Sequence, residues 1–200
     1  MTKENKKPNL DDLFNDLSHP NPNINYKASL QMDKYWPDSS LERLILNLDI
    51  SDLELRRKSV RAISSFGERV VEPLITLFLS SENDTFKLSC LKVFVRIANY
   101  NPQYIFPEGI NAVVKLSLAN NLHQINLTAI SLLKMLREEG KNSLIELSKS
   151  ENLLIAKASI MALGELEDPE AESSLRELLN SKHSNEFIVE SIRLAINECI

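Results

Sequence analysis

The sequence predicts an all-α fold, a right-handed α-α superhelix of about six stacked helix pairs. Three observations predict it. A motif of small and large apolar residues recurs along the chain. Each copy follows a second apolar segment of helical period. Only 4 of the 200 residues are glycine, so the turn chemistry of a β-rich protein is missing.

The clearest copy runs from Arg56 to Gly67. When Ile155 to Leu166 is laid on it with Ile160 over Val60, Ser159 falls on Ser59, Ala162 on Ala62, Leu163 on Ile63 and Leu166 on Phe66. Further copies are Cys90-Leu91-Val93-Phe94-Ile97 and Ala129-Ile130-Leu132-Leu133-Leu136. A weaker copy runs from Ala28 through Met32 to Tyr35, and a ragged one from Phe187 to Ile196. In each, the large residues fall on one helix face and the small one admits a close neighbour. The companion helices are Leu41-Leu44-Ile45-Leu48, Leu74-Ile75-Phe78-Leu79, Val113-Val114-Leu116-Leu118, Leu144-Ile145-Leu147 and Leu175-Leu178-Leu179. The unit is thus a helix pair of roughly 30 residues, a short HEAT-type repeat. One pair cannot bury its apolar face alone, so pairs stack around a concave groove.

Helix starts carry the expected punctuation. Asp168 before Pro169 reads as an N-cap with proline at the first helical position, and Pro73 is expected to open a helix in the same way. Asp84 and Asn152 fall in polar turns within pairs. Residues 1–9 are polar and read as a disordered tail, leaving residues 10–200 as a single HEAT-repeat solenoid domain.

Composition narrows the function. Gly67, Gly109, Gly140 and Gly164 are too far apart for a phosphate-binding loop. A net charge of -5 argues against nucleic acid, which needs a basic field. No segment approaches the ~18 apolar residues of a membrane span, and the polar start lacks the apolar core of a signal peptide. The two cysteines, Cys90 and Cys199, form neither a disulfide framework nor a zinc pattern, which fits a cytoplasmic protein. His19, His123 and His183 fall in separate polar turns without ligand spacing, so no metal site is expected. Cys90 occupies the small, buried column of the repeat and reads as a small hydrophobe. The acidic clusters Glu138-Glu139 and Glu165-Glu167-Asp168 read as solvated helix termini. No catalytic motif is present, and no permanently bound cofactor is implied.

The second helices of the pairs supply the candidate site. Three columns of residues should face the groove: Leu30, Arg61, Lys92, Ser131 and Met161; Tyr26, Arg57, Leu88, Leu127 and Lys157; and Asp33, Ser64, Val95, Lys134 and Gly164. A solvated face would be nearly all polar, whereas these mix apolar residues with Arg and Lys, the pattern of a protein-binding surface. The same cations suit carboxylates, including the propionates of a tetrapyrrole. A register shifted by one would instead put some of these residues in the core. Trp36, the only tryptophan, either caps the terminal core or contacts a partner.

One segment breaks the period. Asn99 to Gly109 lengthens the third repeat by about eight residues and carries two prolines with Tyr100, Tyr104 and Phe106. It reads either as a connector whose aromatics plug the core at a bend or as a contact loop at the groove rim.

Several of these stretches carry a family resemblance. Leu17-Ser18-His19-Pro20-Asn21-Pro22-Asn23-Ile24 resembles the opening turn of cyanobacterial HEAT-repeat proteins of the phycobilin lyase and phycobilisome-maturation group. Arg56-Arg57-Lys58-Ser59-Val60 resembles their Arg-Arg-x-Ala-Val second helix. Ser81-Glu82-Asn83-Asp84-Thr85, Ser89-Cys90, and Asn101-Pro102 through Phe106-Pro107-Glu108-Gly109 are similar to a small chaperone-like helper of phycoerythrin bilin lyases. Where the family shows Leu-Gly at the end of each second helix, this chain has Ile63-Ser64, Phe94-Val95 and Leu133-Lys134, and only Leu163-Gly164 conforms.

The resemblance implies a helper or subunit of a bilin lyase. Its partners would be a phycobiliprotein subunit, of the phycoerythrin type, and a lyase subunit, with phycobilin as a transient ligand. The lyases of the group join a bilin vinyl group to a cysteine thiol. The helper would hold and position rather than make bonds, and positioning contributes much of a rate enhancement. A lyase acting alone would need a general acid, for which Tyr26 and Asp33 are the candidates. The alternatives are a generic HEAT-repeat scaffold, an adaptor for assembling another cofactor, or a degradation role.

Overall fold

The computed structural model describes residues 7–181 and 185–199. Residues 1–6, which make up most of the expected tail, and His183 lie outside the described residues. The described residues contain only helices and turns, and they fall into two compact units, one ending at Gly109 and the other beginning at Ile110. No described helix is long and apolar enough to cross a membrane.

The first unit holds three helix pairs: α1 (Leu10–Ser18) with α2 (Pro22–Tyr35), α3 (Pro37–Ile45) with α4 (Leu53–Ser64), and α5 (Val71–Ser80) with α6 (Asp84–Tyr100). The second holds three more: α7 (Gly109–Leu118) with α8 (His123–Leu133), α9 (Arg137–Leu147) with α10 (Leu153–Gly164), and α11 (Pro169–Asn180) with α12 (Glu186–Glu198). α7 begins at the boundary between the units. The expected all-α array of helix pairs is therefore present.

Most second helices begin on the same device. Asn21, Asp52, Asn83, Asn152 and Asn185 each accept a hydrogen bond from the backbone N–H two residues on, which satisfies a donor the helix leaves free. Asn9 and Asp168 cap two of the first helices in the same manner. One expected start moves, and one residue expected in a turn joins a helix. Pro73 is the third residue of α5 rather than its first, because a 3-10 turn, Gly67–Val70, leads into Val71. Proline is tolerated there because a first-turn N–H has no intrahelical partner to lose. Gly67 has φ 71°, a left-handed conformation that turns the chain out of the α4 region at no steric cost. Asp84 is the first residue of α6, and its neighbour Asn83 is the cap.

The second helices stack side by side, α2 on α4 on α6 in one unit and α8 on α10 on α12 in the other. The repeated apolar columns meet there. Met32, Ile63, Phe94, Leu133, Leu163 and Ile196 are all buried, as are Leu44, Leu74, Phe78, Val113, Leu144 and Leu175 from the first helices. Buried amides seal two of the turns within pairs. Asn25 Nδ2 donates to the carbonyls of Asp16, Leu17 and His19 at 2.9, 2.9 and 2.7 Å. Asn126 repeats this with Ser117, Leu118 and Asn120 at 2.8, 3.3 and 3.0 Å. Lys58 donates to the carbonyls of Ser18 and His19 in the turn that Asn25 seals. Without these donors, buried carbonyls would be left unpaired, at a cost of about 1–3 kcal/mol each.

The acidic termini of the second unit are partly neutralised rather than simply solvated. Lys141 of α9 is 5% exposed, and its ammonium lies 2.9 Å from Glu138, 3.3 Å from Asp168 and 2.6 Å from Glu170. Hydrogen bonds to Glu170 and Glu138 raise the Lys141 pKa against the opposing effect of burial. The N–H of Ala171, followed by Lys141, holds the Asp168 carboxyl below its ordinary range, again against burial. These two shifts have opposite consequences for stability. The Lys141 contribution is complete below the ordinary lysine value and is lost as pH rises through the folded value. The Asp168 contribution is present above about pH 4 and is lost as pH falls through its folded value. Asp168→Asn should keep the cap bonds, cost about 0.5–1 kcal/mol at neutral pH, and flatten the acid limb of a melting-temperature profile. An acid limb as steep in the variant as in the parent would place the titration elsewhere.

Candidate functional site

The residues of the three columns differ in exposure. On the first unit, Tyr26, Leu30, Arg57, Arg61 and Lys92 are exposed and Leu88 is half-buried. Ser64 of the third column is buried and its hydroxyl donates to the Val60 carbonyl, while Asp33 is ion-paired with Arg69. On the second unit, Met161 is half-buried on α10, and Lys134, at the C-terminal end of α8, is paired with Glu165.

The structure gathers the first-unit residues around a cavity of about 320 Å³ between α2, α4 and α6. Tyr26, Leu30 and Arg61 line it, joined by Lys58, Arg96 and Tyr100. Arg96 is absent from the three sequence columns. Its signal was present in the sequence, because it lies one helical turn from both Lys92 and Tyr100. The Arg96 guanidinium donates to the Tyr100 hydroxyl at 2.6 Å, and its carbon lies 5.4 Å from the Tyr100 ring centre.

This contact corrects one expectation. Tyr100 is the last residue of α6 and not part of the connector, because the buried Ile97 and Ala98 carry the helix one turn further than the period suggested. The connector proper, residues 101–108, divides its apolar residues. Phe106 meets the buried Phe94 edge-on at 6.4 Å and Tyr104 at 4.8 Å, so it acts as a plug. Tyr104 is half-buried, and burial followed by the charges of Glu68 and Glu72 raises its pKa. Ile105, which sequence reasoning passed over, is 80% exposed beside them. Trp36 is half-buried, donates from Nε1 to the Pro8 carbonyl at 2.9 Å, and carries the Lys7 ammonium over its ring.

Electrostatics set this face apart. Burial, then Arg56 and Arg57, lower the Lys92 pKa, which marks a cluster of like charges. Among the described residues, Arg57, Arg61, Lys92 and Arg96 enter no ion pair. Cys90 lies beneath the face, wholly buried, and its thiol is pushed up to about 12, so it stays protonated and inert. His19 and His123 are exposed, and no described cluster of His, Cys, Asp and Glu is arranged to hold a metal.

Comparison with known proteins adds to this geometry. The family described as PBS lyase HEAT-like repeat matches residues 155–181, which cover most of α10, the turn after it and α11. The match is confined to that segment, less than half of the chain. It is 34% identical over 91 residues to the bilin biosynthesis protein CpeZ of Synechococcus sp. (strain WH8020), covering 46% of this chain and 49% of that protein. It is 25% identical over 122 residues to the uncharacterized phycocyanin operon protein Z of Pseudanabaena tenuis (strain PCC 7409), covering 60% of each. The matches thus span half to three-fifths of these relatives. A designed armadillo repeat protein, solved in complex with the peptide (KR)4, superposes with TM-score 0.51 at 16% identity, over 96% of this chain and 100% of that one. That likeness shows the all-α repeat fold alone.

Proposed function

We propose that this protein is a non-catalytic helper in bilin attachment. It holds a phycobiliprotein subunit, of the phycoerythrin class, on the face built by α2, α4 and α6 while a bilin lyase joins the pigment to a cysteine. One observation carries the reading. A chain that matches the PBS lyase HEAT-like repeat over residues 155–181 displays Tyr26, Leu30 and Tyr100 beside unpaired Arg57, Arg61 and Lys92. Exposed aromatics and arginines on a rigid helical layer suit protein recognition, in which such residues dominate the binding energy. The similarity to a protein named for bilin biosynthesis supports the pathway. A phycobilin would be a transient ligand, a lyase subunit a second partner, and the cytoplasm the setting. Direct lyase chemistry finds less support, because Asp33, one of its two candidate acids, is engaged with Arg69.

The test is co-expression with a bilin-producing pathway and a phycoerythrin or phycocyanin subunit, with and without a cognate lyase. Soluble subunit and covalent chromophore are scored. The expected result is a rise in correctly chromophorylated subunit only beside the lyase. Attachment without a lyase would replace the helper reading with a lyase, and no effect in any arm would remove the protein from the pathway.

A further inference from the structure

The cavity between α2, α4 and α6 presents two arginines, Arg61 and Arg96, that enter no ion pair among the described residues. Arg61 reaches it from α4, exposed and outside any described ion pair. Arg96 is half-buried on α6. One of its terminal nitrogens donates to Tyr100, while its Nε is buried without a partner. Lys58, the third cation of the lining, is already engaged by Glu54 at 3.5 Å and by the carbonyls of Ser18 and His19. The residues that line the cavity include no aspartate or glutamate. This is a local reversal in a chain of net charge -5. Beyond the cavity Arg57 and Lys92 extend the same field along α4 and α6.

We infer that this cavity is an anchor pocket for an acidic side chain on an apolar segment of a partner protein. In it, Arg61 and Arg96 receive the carboxylate while Tyr26, Leu30 and Tyr100 pack beside it. The inference rests on the proposed helper role and deepens it, because it states what chemistry the client must present.

The physical grounds are specific. A guanidinium offers a planar fork that matches a carboxylate, and such charge-assisted bonds are the stronger kind. Arg96 Nε, buried and without a partner, leaves that guanidinium with an unmet donor. Unopposed like charges on α4 and α6 make the same face attractive to an anion and slow to bind a cation. The volume, about 320 Å³, lies near the small end of the ~300–1,000 Å³ range of ligand sites, which suits one anchoring side chain with its neighbours. The two exposed tyrosines are the residue type that gives a protein partner most contact for least lost freedom.

The experiment measures fluorescence anisotropy of the full-length protein with a dye-labelled, end-blocked peptide of glutamate and leucine residues. Its twin has glutamine in place of glutamate, and biliverdin supplies carboxylates from a pigment. The glutamate peptide should bind, weaken with added salt, and lose affinity by about tenfold or more in Arg61→Gln and in Arg96→Gln. The glutamine twin should not bind, and Lys115→Gln, an exposed change outside the pocket, should leave binding unchanged. Arg61 is exposed, so Arg61→Gln should keep the parent's circular dichroism spectrum and melting point, and its loss of binding reports the pocket. Equal binding of the two peptides, no binding of the glutamate peptide, or unchanged affinity in Arg61→Gln would each overturn the assignment. Biliverdin binding that Arg61→Gln abolishes, with no binding of the glutamate peptide, would give the pocket to the pigment instead. A protein that fails this test yet raises chromophorylated subunit in co-expression keeps the helper role without the pocket. One that passes it without that rise keeps the pocket without the role.

Discussion

Phe94→Ala should cost the first unit about 3–5 kcal/mol, the range for emptying a buried aromatic site. Phe94 is fully buried at the centre of α6 and forms the floor on which Phe106 rests edge-on. Its removal acts twice. It leaves a cavity in the stack of α4 on α6, and it takes away the surface that anchors the connector of residues 101–108. The urea midpoint should therefore fall, and limited proteolysis should cut within that connector well before global unfolding. Phe106→Ala, which removes a half-buried ring, should open the connector to protease with a smaller fall in the midpoint. If Phe94→Ala lowers stability while leaving the connector resistant, Phe106 does not hold that segment, and the turn bonds of Asn101 do. Asn101 accepts the N–H of Gln103 and donates to Glu68.

The second large effect is expected at Gly164. A methyl group there would sit 2.8 Å from the Ala195 Cα and carbonyl oxygen and 2.9 Å from its Cβ. Packed helices seldom relax far enough to absorb such a contact, so Gly164→Val should cost about 3 kcal/mol, the upper part of the range for overpacking. Much of the clash is with backbone. Ala195→Gly removes only the Cβ contact, so the double variant should recover little of the loss. Full recovery would show that α12 can slide along α10, and that the glycine is there for side-chain volume rather than close approach of two backbones.

Gly164 also explains a departure noticed in the sequence. Leu-Gly closes only one second helix in this chain. At the matching position of α4, Ser64 fits because its hydroxyl turns back to the Val60 carbonyl at 2.7 Å. The corresponding Val95 and Lys134 are half-buried. The requirement for glycine belongs to the approach of α12, which no reading of α10 alone reveals.

By itself the sequence determined the helix pairs, their period, the buried columns and many of the residues left exposed on the second helices. Each follows from local periodicity, because a helix shows the same face at a constant interval and apolar residues mark the buried one. The Asp168 cap was legible because Asp acts within three residues of itself, while Asn83 rather than Asp84 proved to cap α6. Tertiary structure alone decided what those residues meet. The turns of their own pairs fold over Asn25 and Asn126 and place three carbonyls within reach of each amide. Lys141 found its carboxylates on a neighbouring pair, and Asp33 found Arg69, across sequence distances that carry no periodic signal. The candidate pocket has the same origin. Tyr26, Arg61 and Arg96 stand on three different helices, and only the stacking of α2, α4 and α6 brings two arginines and two tyrosines to one cavity whose described lining holds no aspartate or glutamate.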